Sequence, residues 1–283
     1  MIAVRNLSFA YDRHNDIIRE MSFAVRDGEI FGFLGPSGAG KSTVQKIFSG
    51  ILRNYRGSVQ IRGTEVKNRG DSFYEDIGMA FEFPNLYGKF TALENLNYFA
   101  SLYRRRPGNP MAYLERVGLA ADAGKKVAGY SKGMKMRLAF VRAILHQPSI
   151  LFLDEPTSGL DPGYARTLKE MILEQKRDGK TIILTTHNMH DAEELCDRVA
   201  FIVDGRIRAL DTPHALRVRK SGVEVAYTFL EGEREQAASA PLASLHLDPA
   251  FMKRLHAGAL TGIHSKEPTL EDVFIELTGR CLR

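Results

Sequence analysis

Apolar residues along this chain gather in short unbroken runs separated by stretches with helical spacing. Ile30-Phe31-Gly32-Phe33-Leu34, Ile150-Leu151-Phe152-Leu153 and residues 181–185 read as strands buried on both faces. Residues 2–9 and 21–25 are β-rich, joined by the polar loop 12–16 and closed by a turn at Asp27-Gly28. Residues 58–61 and 77–81 add two more strands, and the pattern then turns helical from Thr91 to about Gln147. Thr91-Ala92-Leu93-Glu94 is a capping box, Asn109 precedes Pro110 as a cap, and Ser131 opens the run 132–146. Pro148 stops that insertion, and a further helix is expected from Asp161-Pro162 to Gly179. Strands alternating with helices predict an α/β fold with a mainly parallel sheet and helices on both faces. Asp204-Gly205 between two strand-like runs predicts a hairpin.

The nucleus of this pattern is expected to close near residue 220, leaving 221–283 as a small accessory domain. Residues 224–230 read as a strand and 270–277 as an amphipathic helix, whereas 232–249 has no clear period. With 283 residues, 44% of them hydrophobic, the chain can bury a sizeable core. The formal charge of +5 is scattered apart from small clusters such as Arg104-Arg105-Arg106, so a solvated surface is expected and no nucleic-acid partner. Cys196 and Cys281 are too few for a disulfide framework and lack metal-ligand spacing, which points to a reducing compartment. No apolar run approaches the ~18 residues a membrane-spanning helix needs, and the N-terminal residues lack signal-peptide character. Any membrane role is expected to come through a partner.

Chemistry enters at Gly35-Pro36-Ser37-Gly38-Ala39-Gly40-Lys41-Ser42-Thr43, which satisfies G-x-x-x-x-G-K-[ST] between a predicted strand and a predicted helix. The glycines let backbone N–H groups converge on phosphate oxygens, Lys41 reaches the β and γ phosphates, and the Ser42 hydroxyl is placed to ligate Mg²⁺. Asp154 and Glu155 emerge at the carboxyl end of the apolar run 150–153, where the first can hold Mg²⁺ and the second serve as general base.

With both segments present, roughly the first 220 residues resemble the ATP-binding subunits of ABC transporters. Tyr130-Ser131-Lys132-Gly133-Met134 lies where that family carries its signature, usually L-S-G-G-Q; Ser131 and Gly133 are retained, while Tyr130, Lys132 and Met134 depart from the commonest form. The resemblance implies the P-loop NTPase ABC ATPase fold, with a mainly parallel core, an N-terminal antiparallel β subdomain and a helical insertion over about 88–147. It also implies two MgATP sites in a dimer, each phosphate loop facing the signature of a second copy or of a paired nucleotide-binding subunit. Ser158-Gly159-Leu160-Asp161 is similar to the loop that crosses this interface, His187 to the switch histidine that contacts the γ-phosphate, and Tyr11 to the ring that stacks on adenine.

Glu82 stands where similar proteins usually have glutamine reaching Mg²⁺ and the attacking water, so turnover is expected to be slower or more Mg²⁺-dependent than in a Glu82→Gln variant. The segment 84–96 resembles the region that receives a helix of the membrane subunit. Phe83, Leu86, Tyr87 and Phe90 either line that groove or pack beneath the helical insertion. The ending Pro268-Thr269-Leu270-Glu271-Asp272-Val273-Phe274 resembles bacterial export subunits, including drug-efflux types.

The expected function is therefore an ATPase on the cytoplasmic face of the cell membrane, powering a separate permease for export. Two other readings stay open at this point: a soluble ABC-type regulator in translation or chromosome maintenance, and a nucleotide switch with negligible hydrolysis.

Overall fold

Three of the apolar runs become neighbouring strands in the computed structural model, which describes residues 1–12, 15–220, 224–232, 234–266 and 268–279. The chain divides into two units, Met1–Leu210 and Asp211–Cys281. The first runs β1 (Ile2–Ala10), β2 (Asp16–Val25), β3 (Ile30–Leu34), α1 (Lys41–Phe48), β4 (Arg56–Ile61), β5 (Thr64–Glu65) and β6 (Ile77–Ala80). It continues through α2 (Ala92–Ser101), α3 (Pro110–Arg116), α4 (Lys132–Ile144), β7 (Ile150–Asp154), α5 (Pro162–Arg177), β8 (Thr181–Thr186), α6 (Met189–Leu195), β9 (Arg198–Val203) and β10 (Arg206–Asp211).

β6, β7, β8, β3 and β9 pair in parallel in that order, with β10 beside β9 beyond the Asp204-Gly205 turn. Both turn residues have positive φ, 50° and 73°, as a tight two-residue connection requires. β3, β7 and β8 are buried along their whole lengths, which is why their sequences lack polar alternation. β1, β2, β4 and β5 form a separate antiparallel sheet.

An aromatic chain joins the two sheets. Phe23 of β2 stacks on Phe31 at 5.5 Å between ring centroids, Phe31 meets Phe33 edge-on at 5.2 Å, and Phe48 of α1 reaches both Phe33 and Phe152. Each buried ring contributes ~1.5–3 kcal/mol, so α1 is clamped between β2, β3 and β7 just after the phosphate loop.

The helical insertion comprises α2, α3 and α4, each capped where the sequence suggests. Thr91 and Glu94 complete a reciprocal capping box, Asn109 caps α3, and the Ser131 hydroxyl accepts from the Met134 N–H at 3.2 Å. α4 lies directly on β6: a Cβ at Gly78 would stand 2.0 Å from the Ala143 carbonyl oxygen. Buried His146, just past α4, donates from Nε2 to the Ile77 carbonyl at 2.9 Å and stacks on Tyr103. Burial pushes its imidazole down to about 4, so it is neutral at pH 7.

The second unit contains α7 (Pro213–Lys220), β11 (Glu224–Glu231), β12 (Arg234–Pro241), α8 (Pro249–His256), β13 (Leu260–Lys266) and α9 (Leu270–Thr278). Its sheet is ordered β12-β11-β13, and Phe251 of α8 packs edge-on against Tyr227 of β11. The division falls at Leu210/Asp211, ahead of the expected position near 220, because α7 packs with α9 inside this unit. The region 232–249, which shows no period in sequence, contains β12. Its mixed sequence is held by continuous pairing from Glu224↔Pro241 to Glu231↔Arg234.

The close approach of α4 to β6 has a direct test. Gly78→Ala must displace backbone, and such overpacking is expected to lower unfolding free energy by about 1–3 kcal/mol in denaturant titration. An unchanged midpoint and slope would contradict the contact.

Candidate active site

Between β3 and α1 the chain curls through a six-residue loop that admits no side chain at either end. A Cβ on Gly35 would lie 2.2 Å from the Ile202 carbonyl oxygen, and one on Gly40, at φ 106°, 2.6 Å from Ile18 Cδ1. Gly40 occupies the N-cap of α1 without a side-chain cap, leaving that end without side-chain help for its first N–H groups. Lys41 folds back over the loop, donating from Nζ to the Gly35 carbonyl at 2.7 Å and to that of Pro36 at 3.1 Å. Burial holds its ammonium below the usual lysine pKa, and the negative charges of Glu155, Asp154 and Glu82 partly offset that effect. The result is a desolvated cation at the base of the loop.

The acidic pair faces it from β7. Asp154 Oδ1 accepts a hydrogen bond from the Thr185 hydroxyl, and the Glu155 N–H donates to the Thr185 carbonyl at 2.9 Å. Glu155 adopts φ 49°, an uncommon conformation for a non-glycine residue, immediately after the strand. Its Oε1 lies 2.7 Å from His187 Nδ1, and its Oε2 accepts from the Thr186 hydroxyl at 3.1 Å. A carboxylate only accepts, so Nδ1 carries the proton in this contact and Nε2 stays available on a largely exposed ring.

Tyr11, Pro36, Ser37, Gly38, Gly40, Lys41, Ser42, Thr43, Glu82, Asp154, Glu155 and His187 line one cleft of about 460 Å³, joined by Ile17. Gly35 and Ala39 support the loop from behind, against Ile202 and within the core. Tyr11 is exposed, its ring edge-on to Phe9 and its hydroxyl 3.3 Å from Thr43 Oγ1.

Ser131, Gly133 and Asp161 do not join this cleft. Ser131 caps α4, Asp161 Oδ1 accepts from the Tyr164 N–H at the start of α5, and a Cβ on Gly133 would lie 3.3 Å from the Gly159 carbonyl oxygen. The two segments pack against each other within one chain, apart from that chain's phosphate loop.

Sequence reasoning passed over Ile17, Gln45, Thr185 and Thr186. The threonines were visible as two hydroxyl residues following the apolar run Ile182-Ile183-Leu184, and Gln45 as an amide among buried positions of α1. Gln45 Nε2 donates to the Leu153 carbonyl and to Thr185 Oγ1, while its buried Oε1 has no partner among the described residues, a state that costs about 1–3 kcal/mol.

Residues 18–158, from β2 through the phosphate loop to the segment after Glu155, match the ABC transporter family. The chain is also 49% identical to a fluoroquinolones export ATP-binding protein of Mycobacterium tuberculosis strain H37Rv, across 100% of this chain and 94% of that protein. The chain belongs to the ABC transporter family. This ABC subunit is also similar to Nod factor export ATP-binding protein I of Rhizobium sp. strain N33, at 36% identity over 93% of this chain and 92% of the other. Among solved structures it resembles the ATP-binding subunit of an ABC transporter (TM-score 0.71, 30% identity, 77% of this chain and 92% of that one). It also resembles a dimeric cassette in a post-hydrolysis state bound to ADP and Pi (TM-score 0.68, 25% identity, 75% of this chain and 98% of that one).

The expected fold class is therefore correct, down to the antiparallel subdomain and helical insertion. This ABC subunit is an ATP-binding ATPase. Among its described residues no helix is long and apolar enough to cross a membrane.

Proposed function

We propose that this subunit hydrolyses ATP in a cleft completed by the signature segment of a second nucleotide-binding subunit, and thereby drives a membrane permease for export. The observation that carries the reading is the separation within one chain: phosphate loop, acids and His187 share a cleft, while Ser131 caps a helix elsewhere. The export names of the relatives support the direction of transport and do not favour a soluble regulator. A second copy or a related subunit serves equally as partner, and the permease brings the pair to the cytoplasmic face of the membrane.

The residues present fit Mg²⁺. Ser42, Asp154 and Glu82 offer hard oxygen donors around one cleft, and no cluster of three or more His, Cys, Asp or Glu among the described residues could hold a metal by itself. Such a donor set suits an ion that keeps waters and takes phosphate oxygens as ligands. When bound, Mg²⁺ neutralises charge on the β and γ phosphates.

Lys41 and the loop N–H groups orient the triphosphate, and Tyr11 offers its ring to the adenine. Glu155 accepts a proton as water attacks the γ-phosphorus, and ADP leaves as the γ-phosphate becomes inorganic phosphate. His187, held through Nδ1 by Glu155, presents Nε2 to the transferred group together with Ser131 of the partner subunit. Asp161 and Gly133 shape the surface that the partner's loop meets.

A second cleft of about 520 Å³ lies between the parallel sheet and the insertion, lined by Tyr74, Met79, Phe81, Leu86, Tyr87, Phe99, Tyr103 and Arg142 among others. This is the proposed seat of a permease segment. Of the four residues expected there, Leu86 and Tyr87 line it, whereas Phe83 and Phe90 are exposed outside it.

Glu155→Gln is expected to lower steady-state ATPase activity by about 10²–10⁴-fold while ATP binding is retained. An undiminished rate would remove Glu155 as the base and favour a nucleotide switch. Glu82→Gln should raise turnover or alter its dependence on Mg²⁺. Superimposable Mg²⁺ titrations would show that Glu82 does not act on the metal.

A further inference from the structure

We infer that Gln45 and Thr185 are positioning residues that aim the Asp154 carboxylate and so set metal affinity from outside the cleft. The inference rests on the proposed role of Asp154 as a Mg²⁺ ligand. The Leu153 carbonyl can only accept, so the Gln45 amide nitrogen, 3.0 Å away, must face it. The second hydrogen of that nitrogen then points to Thr185 Oγ1 at 3.3 Å. Thr185 has a single hydroxyl proton, and with Gln45 on its acceptor side that proton is committed to Asp154 Oδ1. One carboxylate oxygen is thereby held, and Oδ2 makes no hydrogen bond among the described residues.

The three members come from three elements. Gln45 lies one turn beyond Lys41 and Ser42 on α1, Thr185 is the register partner of Asp154 on β8, and Asp154 ends β7. The chain of bonds is thus a strut between the helix that presents Ser42 and the strand that presents Asp154. Relative exposures of 1% for Gln45, 0% for Thr185 and 6% for Asp154 keep water from competing for these bonds.

Packing alone does not account for Gln45. A methionine would fill similar space without the orphaned Oε1, so what the amide adds is its pair of N–H donors. Hydrogen-bonding partners behind a metal ligand commonly change metal affinity without touching the ion.

The test uses Mn²⁺ as an EPR-visible probe titrated into the ADP-saturated full-length protein, with thermal unfolding measured in parallel. Gln45→Met and Thr185→Val are each expected to raise the Mn²⁺ dissociation constant roughly tenfold, with no loss of thermal midpoint for Gln45→Met. Thr185→Ser, which keeps the hydroxyl, should restore wild-type affinity, and Asp154→Asn should weaken binding more than either. Wild-type Mn²⁺ affinity in Gln45→Met and Thr185→Val, with Asp154→Asn impaired, would overturn the strut and leave the metal ligand in place. Loss of thermal stability in Gln45→Met without weaker Mn²⁺ binding would overturn the strut as well. Wild-type affinity in Asp154→Asn would overturn the ligand assignment itself.

Discussion

Parallel register among β7, β8 and β3 is the constraint on which the rest depends. It sets Asp154 opposite Thr185 and Leu34 opposite Thr186, so the phosphate loop, the acidic pair and His187 all leave the sheet at the carboxyl ends of its strands. In a parallel sheet buried on both faces, a one-residue slip would turn Asp154 and Thr185 to opposite sides and separate the acids from the loop. The unbroken apolar runs that make these strands legible are buried on both faces. The aromatic chain from Phe23 to Phe152 then fixes α1 against them, so Lys41 and Ser42 inherit their positions from the core.

Electrostatics at that end of the sheet are arranged around one buried cation. Lys41 is desolvated and bonded to two loop carbonyls, with three carboxylates contributing opposing charge. A triphosphate entering this cleft brings more negative charge than Lys41 can balance, which is the physical reason for a divalent ion beside Asp154 and Ser42. On the proposed pairing, the start of α4 from a second subunit adds further positive potential, from its N–H groups and from Lys132 at its first position. On the proposed assignment, Glu82 adds a further negative charge to this cleft and is the residue through which charge at the metal would be tuned.

Most of the sheet and the site motifs were readable because each has a local signature. The glycine loop, the apolar strand ending in Asp154-Glu155, the Thr91 and Ser131 caps and the Asp204-Gly205 turn all depend on residues close in sequence. Elements resting on distant contacts were not readable. β12 owes its conformation to its ladder with β11, α7 to packing with α9, and short α6 to an Asn188 cap and a buried face too brief to show a period. The same limit hid the strut, because Gln45 and Thr185 are 140 positions apart and meet only through the fold. The groove residues were ambiguous because aromatic spacing does not reveal which rings face a cleft: Tyr87 and Phe90 are both exposed and in ring contact, yet only Tyr87 lines the second cleft.

The central claim is that one chain holds half of a hydrolytic site. ATPase activity per milligram, measured at saturating MgATP over a wide range of protein concentration, tests it most directly. The account predicts specific activity that rises steeply with concentration and levels off once paired subunits predominate. Specific activity that stays constant down to concentrations where sedimentation shows only monomer would contradict it.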